Sequence, residues 1–557
     1  MDGCVGRKWV MDNQLIFNEK QIWKSALVLT AAGIITKILS AAYRIPFQNI
    51  AGDIGFYIYQ QVYPFYGIAL ILSTYGFPVI ISKLIAEQMD SKRKDPMKVL
   101  TVSFVFLSLL FIGLFLFLYT GSEKIALWMG DEKLYTPLRV VSFSFLFVPL
   151  LSVLRGYFQG QNNMTPTAIS QIGEQSVRVT TILIFTYILL TNGYSSYIGS
   201  AGAIFGSITG GFCSMLILLF FWIKKRKDRF TKNDKPEISG PSTFSIIKAI
   251  TIQGFTICIS SLLLILLQLV DAMTLYSQLI NSGSFSLTEA KIEKGIFDRG
   301  QPLIQLGTVV ATSLSLTLVP LISSAKAKND LTFIKEKVHL SIRISVIVGL
   351  GASIGLISII KPTNFMLFTN ISGSSVLSIL AVTILFSSIT MTAAAIIQGL
   401  GRPFAPAVYV VVGVVCKIIL NYVLIHRFGT TGAAISTVLA YIVVTALHLR
   451  LLSKILNIKL YTDYTAKALS AGMIMILGLS GYQFLLNGFF DSYHLESRMF
   501  ATFQSLTAVI LGAVIYIIFI VKTNVFSEHE LQALPFGNRL LILTKKNGRI
   551  PRRRYNE

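Results

Sequence analysis

Two cations stand on one side of an apolar stretch, Lys37 and Arg44 in the run KILSAAYRIPFQ from Lys37 to Gln48. With Ser40 or Ala41 between them they follow i, i+3/i+4, i+7 spacing, which puts both on one face of a helix. A lysine inside a membrane span costs roughly 2.5–3.5 kcal/mol to insert, so such a lysine usually faces a water-filled cavity or a partner rather than lipid. Two cations on that face suit an anion. Arg44, at the end of the run, also has a plainer reading as a side chain that snorkels to the interface. Arg139, Glu174, Arg178, Asp271, Asp298, Arg299 and Lys417 likewise lie inside or at the ends of apolar runs. Glu174 and Arg178, spaced i, i+4, are expected to pair on one helix face. Asp271 is expected near the counterpart of Arg44, where it neutralises that cation. Asp298 and Arg299 open a further apolar run, with Gln301 and Gln305 one turn apart beyond them. The primary candidates for a cationic cavity are Lys37, Arg44, Asp298 and Arg299, and the secondary ones are Glu174, Arg178, Asp271 and Lys417. Phosphate is the favoured anionic group, because arginine can contact it through two parallel hydrogen bonds.

Other chemistries have little support. No GxxxxGK[ST] phosphate loop, HExxH or GxSxG occurs, and the five histidines form no cluster. Cys4, Cys213, Cys258 and Cys416 show no CxxC spacing and read as small core residues, without disulfide or metal. The expectation is a protein that is not an enzyme, with no cofactor and no metal. Whether an ion is coupled stays open.

The elements that must position these residues are membrane helices. Only 13% of the 557 residues are charged and 53% are hydrophobic, against about a quarter charged in an ordinary globular chain. Apolar runs place fourteen spans at 23–43, 60–82, 100–120, 136–154, 172–191, 200–223, 246–271, 299–322, 340–360, 375–398, 404–425, 430–449, 465–486 and 499–521. An even number puts both termini on one side. Lys and Arg concentrate strongly in the loops of that side, which orients both termini to the cytoplasm. The net charge of +23 sits in short loops and no soluble domain is visible, so nucleic acid is not expected as a partner. The first ten residues carry no signal-peptide pattern, and Met1 and Met11 both stand as starts.

The order of segments is a cytoplasmic N-terminus (1–22), six spans (23–223), a basic linker (224–245), six spans (246–453), two further spans (454–521) and a basic tail (522–557). The tail, ending KKNGRIPRRRYNE, is expected to lie along anionic membrane lipids. The linker divides two copies. Gly76-Phe77-Pro78 recurs as Leu318-Val319-Pro320, Gln159-Gly160 as Gln398-Gly399, Arg178 as Lys417, and the GSAGA from Gly199 as GTTGA from Gly429. Six spans per copy give both copies the same orientation, hence two pseudo-symmetric lobes about an axis along the membrane normal, with a terminal helix pair added. The fold class is therefore an all-α integral membrane protein of about fourteen transmembrane helices. Gly199, Gly202, Gly429 and Gly432 would permit close helix contact.

The stretches KILSAAYRIPFQNIAG, GFPVIISKLIAE and RGYFQGQNNMTPTAISQIGEQSVRV resemble the multidrug/oligosaccharidyl-lipid/polysaccharide exporter superfamily, in its bacterial polysaccharide-exporter branch of the stage V sporulation protein B type. FDRGQPLIQLGTVVATSLSLTLVPLIS resembles the eighth span of MurJ-type lipid II flippases, with Asp298 and Arg299 matching their Asp-Arg pair and Pro320 their span-ending proline. The resemblance runs from about Trp23 to Lys522. It implies a central cation-lined cavity, and a terminal helix pair forming a lipid groove. It also implies an undecaprenyl-diphosphate-linked glycan as cargo, lipid II or a related cell-wall precursor, flipped to the outer leaflet of the bacterial cytoplasmic membrane. Arg44 matches only the sporulation-type pattern, and the second span has no arginine of its own.

Two other classes remain open. A cation-coupled multidrug exporter of the same superfamily would want deep acidic groups, for which Glu174 and Asp271 are the support. A non-transporting scaffold would recruit wall-synthesis or spore-envelope enzymes through the linker or the tail.

Overall fold

The computed structural model describes residues 28–90, 95–227, 241–458, 464–490, 497–526 and 530. The N-terminus, most of the basic linker and most of the basic tail, with the lipid and enzyme contacts expected of them, lie outside the described residues. Among the described residues the chain is helical, without a strand. The first half runs through α1 (28–42), α2 (Arg44–Ile71), a π-helical turn (Leu72–Gly76), α3 (Phe77–Asp90), α4 (Pro96–Trp128), α5 (Tyr135–Ser142), α6 (Val148–Gly160), α7 (Thr165–Thr191) and α8 (Ser196–Lys227). The second half opens with α9 (Thr243–Ala249), a second π-helical turn (Ile250–Gly254), α10 (Phe255–Ser261), α11 (Leu263–Asn281) and α12 (Leu287–Asp298). It continues with α13 (Gly300–Gly307), α14 (Val309–Ala327), α15 (Leu331–Ser358), α16 (Ile360–Phe368), α17 (Ser374–Gly399) and α18 (Phe404–Leu456). The closing pair is α19 (Tyr464–Phe490) and α20 (Arg498–Lys522).

Eleven stretches among the described residues are long and apolar enough to cross a membrane. Two of these are double. Val28–Met89 turns at Gly52 and Phe404–Leu456 at Gly429, where φ is +67° and +55°, a left-handed backbone that favours glycine. Thr243–Ser261 and Leu263–Asn281 follow each other as one bent span. The expected spans at 172–191 and 299–322 are helical, as α7 and as α13 with α14, though neither is among those eleven stretches. The architecture is consistent with fourteen crossings.

Small residues set the closest approaches. A Cβ on Gly160 of α6 would stand 2.7 Å from the Ser82 carbonyl oxygen of α3, and one on Gly399 of α17 would stand 3.0 Å from the Val319 carbonyl oxygen of α14. In each half the helix that carries the repeated Gln-Gly packs on the helix that carries the repeated Pro, so the same helix pair is built twice, in different register. Gly199 and Gly202 meet Leu190 and Leu189, and Gly432 meets the Leu424 carbonyl. Each therefore tightens a hairpin within its own half rather than a contact between halves.

The closing pair is fastened to α15 and α16. Gly351 receives the Tyr516 ring and Gly472 receives Ile354. The Tyr516 hydroxyl donates to the Ile347 carbonyl at 2.9 Å, and Arg498 Nε donates to the Met366 carbonyl at 2.9 Å.

Because Gly160 and Gly399 each close the same helix pair in their own half, Gly160→Leu and Gly399→Leu are expected to lower the yield of monodisperse protein to similar degrees, read by fluorescence-detected size-exclusion chromatography. A large loss from one and none from the other would show that the two contacts do not do the same job.

Candidate functional site

Turning at Gly52 folds the start of α2 back on the rest of it, and an aromatic stripe then faces Arg44. Tyr59, Tyr63 and Tyr66 are spaced i, i+4, i+7 along the second arm of α2. The Arg44 guanidinium lies 4.3 Å from the Tyr63 ring centroid, and that of Arg178 lies 4.6 Å from Tyr66 and 5.5 Å from Tyr43. The Tyr43 and Tyr59 hydroxyls bond to each other at 2.6 Å. Both arginines are 0% exposed. No nitrogen of Arg44 has a hydrogen-bond partner among the described residues, nor do Nε and Nη1 of Arg178; Nη2 of Arg178 reaches Ser40 Oγ at 3.5 Å. Cation–π contact is worth about 2 kcal/mol when desolvated, and it leaves several strong donors unmatched at about 1–3 kcal/mol for each unsatisfied group. The arrangement thus holds donors that no acceptor among the described residues matches. In this structure it is shut, since the space beside Tyr59, Tyr63 and Tyr66 is about 10 Å³, room for roughly one water.

The other candidates are paired, and not always as expected. Glu174 does not pair with Arg178. It takes Arg155 Nη2 at 2.6 Å instead, and Arg155 spends its other donors on the Ser73 carbonyl, Thr74, Ser170 and Ser214. A guanidinium arriving from α6 with every donor matched outcompetes a neighbour one turn away whose planar group is stacked on tyrosines. Asp271 does not neutralise Arg44. Its partner is Lys417, at 2.8 Å. Asp298 pairs with Lys294, one turn back on α12, at 2.6 Å. Lys37 reaches across to Thr308 and Thr312 of α13 and α14, joining the two halves. Arg139 sits half-buried beside Glu123, Tyr119 and Tyr135, an ordinary interfacial arrangement.

Arg299 lies at the junction of the halves. Its Nη2 grips both oxygens of Asp53 at 2.7 and 2.8 Å, and its Nη1 donates to Asn370 Oδ1 at 2.7 Å. Above it Gly295 lets α12 touch the Asp53 carbonyl, which an added Cβ would meet at 2.3 Å. A second inter-half pair stands nearby on the same face, Lys291 with Asp131 at 2.9 Å. Asp131 also accepts from Tyr57 at 3.2 Å and from Tyr197 at 2.6 Å. On the opposite face the halves meet through Gly76 against Cys258, Gly254 against Phe77, and a Lys83–Gln253 hydrogen bond of 3.2 Å. A cavity of about 370 Å³ opens there between α3 and α9, lined by Lys83, Glu87, Lys248 and Gln253 among others.

The comparisons with known proteins fit this architecture. The family described as polysaccharide biosynthesis protein matches residues 22–326. The uncharacterized membrane protein YabM of Bacillus subtilis (strain 168) is 42% identical over 530 residues, 95% of this chain and 98% of that one. The chain belongs to the polysaccharide biosynthesis protein family. Within that family, stage V sporulation protein B of the same strain is 28% identical, across 93% of this chain and 98% of its own length. A solved structure of lipid II flippase MurJ in an inward closed conformation superposes with a TM-score of 0.64 at 15% identity, covering 89% of this chain and 99% of that one. These matches place the family member in the multidrug/oligosaccharidyl-lipid/polysaccharide exporter superfamily, as a multi-pass membrane protein.

Several site residues escaped the sequence reading. Asp53, Asp131, Lys291, Asn364 and Asn370 lie in or near loops and gain meaning only from their partners. Arg155 ends an apolar run, and nothing local tells which carboxylate it serves. The Tyr59, Tyr63, Tyr66 spacing was a readable signal, since three amphipathic rings on one face of a span seldom face lipid without purpose.

The inter-half pairs join the two halves on one face. In a chain whose native cysteines are replaced by serine, a Ser40→Cys reporter is expected to react slowly with a membrane-impermeant thiol reagent added on the Arg299 face. Combining Asp53→Asn with Asp131→Asn should speed it roughly tenfold or more, since each 1.4 kcal/mol shift in an equilibrium is a factor of ten. Unchanged labelling would mean that the pairs do not hold the face shut.

Proposed function

We propose that this protein is a flippase that carries an undecaprenyl-diphosphate-linked glycan from the inner to the outer leaflet of the bacterial cytoplasmic membrane by alternating access. Lipid II and a related cell-wall or spore-envelope precursor are the two cargoes in view. The observation that carries the reading is the imbalance of buried charge. Asp271, Asp298 and Glu174 each hold a cation at 2.6–2.8 Å, whereas Arg44 and Arg178 are buried against tyrosines with unmatched donors. A diphosphate cannot cross hydrocarbon unpaired, and two guanidinium groups with unmatched donors supply the bidentate contacts it needs. The names of relatives support the same class, because stage V sporulation protein B and lipid II flippase MurJ share the fold or the sequence along most of the chain.

In this reading the termini are cytoplasmic and the Arg299–Asp53 and Lys291–Asp131 pairs close the outer face. The cavity bordered by Lys83 and Lys248 is then where a headgroup first meets the protein from inside. Opening the tyrosine cluster admits the diphosphate to Arg44 and Arg178, while the polyprenyl tail stays in the bilayer beside the closing helix pair. Release of Asp53 frees Arg299 for the passing anion as the outer face opens. In this reading the protein works as a transporter and carries out no chemical step.

The cation-coupled drug exporter fares worse, since its expected acids are already neutralised by Lys417 and Arg155. A scaffold would gain nothing from two buried, unmatched arginines.

The test is transbilayer movement of a labelled undecaprenyl-diphosphate glycan in proteoliposomes. Arg44→Ala, Arg178→Ala and Arg299→Ala are each expected to cut the rate by tenfold or more, with about 1.5–3 kcal/mol lost for a hydrogen bond to a charged group. Wild-type rates from all three variants, or no movement of lipid II and related glycans by correctly folded wild type, would sink the proposal.

A further inference from the structure

Lys417 lies in the second half at the repeat position that Arg178 fills in the first. Its surroundings differ in kind. The Lys417 ammonium donates to Asp271 at 2.8 Å, to the Ala433 carbonyl at 3.2 Å and to the Thr437 hydroxyl. An ammonium has three N–H groups, and here each meets an oxygen of a different type. A second shell then holds the first in place. Asn421 Nδ2 donates to Asp271 at 3.1 Å and to Thr274 at 2.9 Å, and the Ser436 hydroxyl donates to Asn421 Oδ1. Lys417, Asn421 and Ser436 are 0% exposed and Asp271 is 2% exposed.

The cage spans three helical segments. Asp271 and Thr274 come from α11, Lys417 and Asn421 from the first arm of α18, and Ala433, Ser436 and Thr437 from its second arm, beyond Gly429. A carboxylate, a backbone carbonyl and a threonine hydroxyl are hard oxygen donors, the set that suits a small hard cation. Neutralising Asp271 alone would need one contact; the ammonium makes three, to atoms that also suit a metal ion. Nor does the repeat demand it, because Arg178 occupies the equivalent place without a carboxylate.

We infer that Lys417 is a tethered monovalent cation: its ammonium fills an oxygen cage between α11 and the two arms of α18, and removing the amine converts that cage into a sodium site. The second half thus balances Asp271 from within the chain and has no need of an exchangeable ion at this place. The inference concerns ion binding by the folded protein and stands apart from the identity of the cargo.

The experiment is thermal unfolding of the purified full chain in sodium, potassium or choline chloride at constant ionic strength. Wild type is expected to show no sodium-specific shift. Lys417→Ala and Lys417→Ser are expected to unfold at a lower temperature in choline, and sodium should raise their midpoints saturably by a few degrees. Lys417→Met, which fills the volume without a charge, should stay low in every salt, and adding Asp271→Asn to Lys417→Ala should abolish the sodium effect. Uptake of ²²Na⁺ by the Ala variant above wild type gives a second reading. If sodium shifts neither variant, or if neither folds even in sodium, Lys417 is a structural partner of Asp271 and the inference fails. A saturable sodium shift in wild type that Asp271→Asn removes would overturn it from the other side.

Discussion

Everything in this structure follows from the cost of placing charge where water is scarce. Leaving one member of a buried ion pair unmatched costs about 3–5 kcal/mol, and the chain carries many charged groups between its helices. It answers in two ways. Glu174, Asp271 and Asp298 are matched with cations at hydrogen-bonding distance. Arg44 and Arg178 are stacked on aromatic faces, with most of their nitrogens unmatched. The first solution is stable in itself, while the second defers part of its compensation, and deferred compensation is what a binding site for a passing anion requires.

The two halves share a plan and differ in charge. Gly160 and Gly399 pack α6 on α3 and α17 on α14, the same pair of helices in each half. At the repeat position of Arg178 and Lys417 the halves part. The first leaves its cation beside tyrosines, and the second locks its cation in an oxygen cage. One half thereby leaves donors of its cation unmatched, and the other matches the charge it supplies itself.

Much of this was legible before any coordinates. Apolar length gave the helices, and repeated Gly and Pro motifs gave the twofold plan, because both depend on local sequence. Two spans, α7 and α13 with α14, are more polar than their neighbours, since residues such as Glu174, Gln175, Gln301 and Gln305 are buried against protein rather than lipid. Which ions pair was not legible. Glu174 and Arg178 have a spacing that allows pairing, yet Arg155, nearly twenty residues upstream, takes the carboxylate because its remaining donors find partners on α3's π-helical entry, α7 and α8. Helical periodicity fixes the face of a side chain, and tertiary packing decides what that face meets.

The two faces are closed by different means, and the difference bears on how the molecule moves. The Arg299 face is held by ion pairs in which one member borders water, Asp53 in one and Lys291 in the other, while Arg299 and Asp131 are buried. Parting them exchanges a protein contact for hydration, so the net cost is far below that of breaking a fully buried pair. The opposite face closes through glycine against cysteine and phenylalanine, contacts that lose packing without any polar return when they part. Yet the two π-helical turns, Leu72–Gly76 and Ile250–Gly254, lie at that contact, and such turns let a helix change its bend locally. An ionic latch on one side and a hinged apolar seam on the other allow each side to open at modest cost while the other stays shut. Alternating access needs that independence, and symmetric closures would tend to open together.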